Sequence, residues 1–166
     1  MDDRKKKDLS VYMNAYSFIE FSSGLSIINL SRTVALMRLV HKNFYEKFKL
    51  SEPKFFVLLL LNEAEEGIPL IEIGNIMLVS RANITTLIER MVRDGFVEKR
   101  KNSDDKRSTK AYITEAGRKL FYEVADIHKE FSHRLVNALD EEEKESLNKL
   151  LGKVQLGIIE DFANEY

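Results

Sequence analysis

Between Ser80 and Gly95 the chain reads SRANITTLIERMVRDG, and no other stretch restricts the possible fold as tightly. Ser80 is a favourable N-cap, because its hydroxyl can accept from an amide of the first helical turn. Asp94-Gly95 supplies the stop, since glycine takes the left-handed conformation at a helix end without steric cost. Between them Ile84, Leu87, Ile88 and Met91 recur at helical spacing and form one apolar face. At 100° per residue the opposite face carries Ala82, Thr86, Glu89 and Arg93, flanked by Asn83, Thr85 and Arg90. Short polar side chains edged by arginine suit a helix lying in a DNA major groove. Bulkier ones would hold it away from the bases.

What surrounds this helix completes a reading device. Upstream, Leu70, Ile73, Ile76 and Met77 predict a short helix with one apolar stripe, and Leu78-Val79 breaks the pattern before Ser80. Downstream, alternation in Phe96 to Lys101 and in Ser108 to Thr114 predicts a half-buried hairpin. The polar residues 102–107 between the strands are too many for a two-residue turn and form a basic wing. The expected fold class is therefore mainly α with a small β-hairpin wing, a winged helix-turn-helix.

In this order and spacing the stretch from Leu70 to Gly117 resembles the multiple-antibiotic-resistance regulator (MarR) family of winged-helix transcription factors. The matching features are the Leu70/Ile73/Met77 helix, Val79-Ser80, the ladder to Met91, Asp94-Gly95-Phe96-Val97, Asp104 and Arg107, and Thr114-Glu115-Ala116-Gly117. About fifty residues carry the likeness. Gly74 departs from it, because the family usually has alanine there, and glycine in a helix interior costs roughly 1 kcal/mol. The resemblance implies a homodimer on a pseudo-palindromic operator, repression by blocking polymerase access, and release by a small effector. Ser80, Arg81, Asn83, Thr85, Thr86 and Arg90 are the candidate contacts on the recognition helix, and Arg100, Lys106 and Arg107 those on the wing. Asp104 is expected to orient Arg107, since phosphate repels a bare carboxylate.

Composition agrees once distribution replaces totals. The 166 residues carry 26 basic and 27 acidic side chains, a balance that by itself points to no nucleic acid. Yet from Ser80 to Lys110 the basic residues outnumber the acidic ones, while from Asp140 to Tyr166 the acids dominate. Such a charge dipole suits one face on DNA and the other turned away. There is no cysteine, which removes disulfides, thiolate metal sites and thiol redox switches. No apolar run approaches the roughly twenty residues needed to span a bilayer, and polar residues interrupt any signal-peptide core after Arg4-Lys5-Lys6-Lys7. The cytoplasm is the expected compartment.

Taken in order, residues 1–8 read as a solvated tail and residues 9–21 as a short helix. A long helix runs from about Leu25 to Phe48. Ser51-Glu52-Pro53 opens the next one with a cap and an early proline. Gly67-Ile68-Pro69 reads as a turn leading through a short extended piece into the reading unit. After the wing Thr114 caps a helix to about Leu139, and Asp140-Glu141-Glu142-Glu143 reads as a capping box opening a last helix to about Phe162. The first and last helical regions carry more apolar side chain than the middle can cover. The expected organisation is N-terminal dimerisation helices over 9–48, a DNA-binding domain over 51–114 and C-terminal dimerisation helices over 115–166, as one intertwined unit.

Three other readings compete. His41, His128 and His133 invite a metal site, but His128 and His133 are not spaced to share a helix face and nothing completes a ligand set. Ordinary surface or interface histidines are expected, with no metal and no cofactor. The aromatics Tyr12, Tyr16, Phe18, Phe21, Phe44, Tyr45, Phe48, Phe55 and Phe56 are expected in the core and dimer interface; the resemblance also allows a crevice for a small aromatic or lipophilic effector. No phosphate loop, nucleophile motif or framed acid–base pair suggests an enzyme. The alternative from another class is a helical winged-helix protein-interaction module without specific DNA binding. The basic wing argues against it.

Overall fold

The computed structural model describes residues 22–101 and 108–162. The helix expected over 9–21, and the wing residues Asp104, Lys106 and Arg107, lie outside the described residues. Two compact units divide after Val57. The described elements are α1 (Ser22–Glu46), α2 (Glu52–Asn62), β1 (Ile68–Pro69), α3 (Leu70–Ile76), α4 (Arg81–Arg93), β2 (Val97–Lys101), β3 (Thr109–Ile113), α5 (Glu115–Leu135) and α6 (Glu141–Phe162).

In the first unit α1 ends two residues short of the expected Phe48. Its last carbonyls are closed by Lys49 N–H to Glu46 O at 3.1 Å and Leu50 N–H to Tyr45 O at 3.1 Å, with Lys49 at φ 54°. A left-handed lysine therefore occupies the place where glycine commonly ends a helix. Phe44 and Tyr45 meet edge-on at 5.0 Å between centroids, Tyr45 and Phe55 lie 5.4 Å apart, and all three are buried. His41 is not at the surface. It is 8% exposed, and its Nδ1 lies 2.6 Å from Glu52 Oε1. Burial, reinforced by the Glu52 charge, pushes the Tyr45 hydroxyl above its usual pKa.

The second unit holds a three-stranded antiparallel sheet in the order β1-β3-β2. Val97 pairs with Ile113 and Lys101 with Thr109, while Ile68 pairs with Ala111 and Pro69 with Lys110. The short extended piece after Gly67 is thus a third strand. Pro69 is tolerated there because an edge strand can lack one donor. Ile73, Ile84, Ile88, Met91, Val97 and Ala111 are buried, so the apolar stripes of α3 and α4 and one face of the hairpin make up the core.

One knot of main-chain contacts joins α4, the sheet and α5. Gly95, at φ 78°, bonds Val92 O at 3.0 Å and Phe96 N–H bonds Met91 O at 3.0 Å, closing the end of α4 in a Schellman motif. Thr114 then works three ways. Its N–H bonds Phe96 O at 3.1 Å, its hydroxyl donates to Gly95 O at 2.7 Å, and the same oxygen accepts from Gly117 N–H at 3.0 Å as the N-cap of α5. Gly117 packs so closely that a Cβ there would lie 2.1 Å from Phe96 O.

α5 stops at Leu135 rather than near Leu139. Val136 leaves helical geometry (φ −120°), and a turn closed by Leu139 N–H to Val136 O at 3.0 Å leads into the next cap. That cap is the expected box, with Asp140 N–H to Glu143 Oε2 and Glu143 N–H to Asp140 Oδ1 both at 2.9 Å. α6 buries no residue completely, and Leu150, Leu156, Ile159 and Phe162 stay exposed. Among the described residues no helix is long and apolar enough to cross a membrane. Because the contact at Gly117 is with backbone, Gly117→Ala is expected to lower unfolding stability by about 1–3 kcal/mol in urea titration. An unchanged midpoint would show that α5 shifts away from Phe96 at no cost.

Candidate nucleic-acid interface

The interface begins with the turn between α3 and α4. Met77 N–H bonds Ile73 O at 3.0 Å, Leu78 N–H bonds Asn75 O at 3.2 Å, and Val79 N–H bonds Gly74 O at 3.0 Å. To close that turn Leu78 adopts φ 53° and stands 92% exposed. Gly74 is buried beneath the turn, and a Cβ on it would lie 3.3 Å from both Ile84 Cγ2 and Val79 O. The missing methyl therefore lets the two helices approach closely, which offsets the propensity cost expected from glycine.

Ser80 caps α4, accepting from Asn83 N–H at 3.3 Å and leaving its own proton free to donate. With Ile84, Ile88 and Met91 buried, α4 cannot roll, and Arg81, Asn83, Thr86 and Arg90 are exposed. Thr85 is half-buried, and its hydroxyl donates to Arg81 O at 2.7 Å, so toward a ligand it can only accept. The exposed surface of α4 therefore has two flanks. Arg81, Thr85 and Glu89, four residues apart, form a stripe on one side, while Asn83, Thr86 and Arg90 face outward and to the other.

The first flank looks toward the hairpin. Arg81 and Thr85 line a cleft of about 460 Å³ together with Leu70, Ile71, Lys99, Ser108 and Thr109. Lys99 Nζ lies 3.6 Å from Glu89 Oε1 and ties the strand to the helix. Lys99 is absent from the contacts expected from sequence. A signal for it exists, because on β2 it falls two residues after the buried Val97 and shares its face. Arg100, one residue on, points the other way: it pairs with the Glu98 carboxylate and its guanidinium sits 4.6 Å above the Tyr112 ring. Lys110 donates to Glu66 O at 3.3 Å. Of the expected wing contacts, only Arg100 falls within the described residues.

Among the described residues no group of three or more His, Asp or Glu side chains is placed to hold a metal ion. Phe44, Tyr45 and Phe55 are core residues, while Phe56 is exposed.

Comparison with known proteins matches the geometry. A family model described as the MarR family matches residues 50–109. The chain is 27% identical over 160 residues to the HTH-type transcriptional repressor YetL of Bacillus subtilis (strain 168), covering 95% of this chain and 96% of that protein. It is 28% identical over 137 residues to the HTH-type transcriptional regulator PecS of Dickeya dadantii (strain 3937), covering 81% and 82%. Among solved structures, S. aureus MepR in its DNA complex superposes with TM-score 0.71 at 21% identity, covering 83% of this chain and 99% of that one. AbsC, a MarR family transcriptional regulator from Streptomyces coelicolor, gives TM-score 0.76 at 20% identity, covering 80% and 91%.

The left-handed Leu78 makes the turn itself testable. Asparagine tolerates that conformation better than a γ-branched apolar residue, and almost no burial is lost at this position. Leu78→Asn is expected to raise stability by about 0.5–1 kcal/mol in thermal unfolding. A fall in midpoint would mean that the leucine makes a contact worth more than the strain.

Proposed function

We propose that this chain, which belongs to the MarR family of transcriptional regulators, is a sequence-specific DNA-binding repressor that acts as a homodimer on a pseudo-palindromic operator. The family is one of regulators rather than enzymes. The observation that carries the proposal is α4 itself, an exposed polar face on a helix whose opposite face is locked into the core beside a basic hairpin.

In this reading Ser80, Arg81, Asn83, Thr85, Thr86 and Arg90 meet the major groove. Arg100, Lys106 and Arg107 meet the backbone or the minor groove, and Asp104 orients Arg107. Residues 51–114 read DNA, while 9–48 and 115–166 supply the dimer contacts. The apolar side chains left exposed on α1 and α6, among them Leu36, Leu39, Leu150 and Ile159, support pairing with a second copy. The dimer works in the cytoplasm, and a small aromatic or lipophilic effector releases it from the operator.

The test separates positioning from reading. An operator is first obtained by selecting bound sequences from a random duplex pool. Arg107→Ala is expected to weaken binding to selected and unselected duplexes by similar factors, flattening the plot of log affinity against log salt by up to about one unit per protomer. Asn83→Ala or Thr86→Ala is expected to leave that slope nearly unchanged and to reduce the preference for the selected duplex, since a well-held base contact discriminates by about 1–3 kcal/mol. No enrichment of any sequence, with salt-insensitive binding, would favour the protein-interaction module instead.

A further inference from the structure

Glu89 is the only acid between Arg81 and Arg93, and it projects from the exposed side of α4. A carboxylate there repels phosphate, so its presence on a groove-facing helix needs a reason. Its partner in the free protein is Lys99, 3.6 Å away, with the two side chains 55% and 34% exposed. The pair is accessible enough to open when a better partner arrives for each group, and exposed ion pairs cost little to exchange.

We propose that Glu89 is a specificity-determining residue that works by exchanging partners with Lys99. On an unmatched duplex the carboxylate keeps the lysine ammonium, so the two charges largely cancel and Lys99 adds nothing to phosphate binding. On a matched duplex a base presenting an exocyclic amine in the major groove, cytosine N4 foremost, takes the Glu89 carboxylate. Lys99 is then released to a phosphate beside the cleft that it shares with Arg81 and Thr85. One base contact thereby switches on one backbone contact, and the gap between right and wrong sequences widens beyond what either gives alone. The idea rests on the DNA-binding reading above and adds the device by which that binding discriminates.

The protein and its Glu89→Gln, Lys99→Ala and double variants are titrated at several salt concentrations. The duplexes are the pool-selected one and one in which each C·G pair of its half-sites is exchanged for T·A. The wild type is expected to show a salt slope steeper by about one unit per protomer on the selected duplex. Glu89→Gln frees Lys99 everywhere. It is expected to raise affinity for the exchanged duplex several-fold, bring the two slopes together and cut the preference for the selected duplex about tenfold or more. Lys99→Ala is expected to shrink the Glu89→Gln gain on the exchanged duplex several-fold, because no ammonium is left to release. An equal gain from Glu89→Gln with or without Lys99 would reduce the effect to a uniform field and overturn the exchange. So would wild-type slopes that do not differ between duplexes. A wild type that selects no sequence at all would instead overturn the DNA-binding reading itself.

Discussion

The Phe96 carbonyl is the point on which the second unit depends. It accepts from Thr114 N–H at 3.1 Å, and Gly117 packs against it more closely than any other residue type could. Phe96 is also the residue whose amide closes the end of α4. The end of α4, the residue before β2 and the cap of α5 are therefore joined through two consecutive peptide units, Gly95–Phe96 and Phe96–Val97, and one threonine hydroxyl. Each such hydrogen bond contributes about 0.5–1.5 kcal/mol net. The Thr-x-x-Gly pattern at 114–117 thus fixes geometry as well as starting a helix. Helix α5 is thus tied to the end of α4 by direct hydrogen bonds.

That rigidity gives the charges on α4 and β2 their meaning. Side chains on a helix that cannot roll sit at fixed distances from the neighbouring strand, and so Glu89 finds Lys99 and Arg100 finds Tyr112. The alternation of a β-strand sends Lys99 and Arg100 to opposite faces, dividing the cations of the hairpin between the cleft and the outer surface. A basic patch that reads from sequence as one block is therefore two populations with different partners.

Patterns with strong steric or hydrogen-bonding logic are legible in the amino-acid sequence alone. The Ser80 and Thr114 caps, the left-handed Gly95, the Asp140/Glu143 box and the apolar ladder of α4 each depend on residues close in sequence, and each stands as expected. What escapes depends on neighbours distant in sequence. His41 reads as a surface or interface residue, and its burial against Glu52 follows from a chain reversal eleven residues later. Ile68–Pro69 becomes a strand only because β3 offers it a free edge. Gly74 reads as a pure loss of helix propensity, whereas Ile84 packs into the space that its missing methyl leaves. At the interface the exposed face of α4 is legible, but Lys99 is hidden, because its role depends on which helix its strand faces.

In the proposed dimer, two copies present two such reading heads to DNA at once. A two-fold dimer places its recognition helices in successive major grooves on one side of the duplex, about 10 base pairs centre to centre. Hydroxyl-radical footprinting of the wild type on the pool-selected duplex, with stoichiometry determined on the same complex, tests this most directly. Two symmetry-related patches of protection separated by about one helical turn, filled together by two protomers, are expected. A single isolated patch occupied by one protomer would contradict that arrangement.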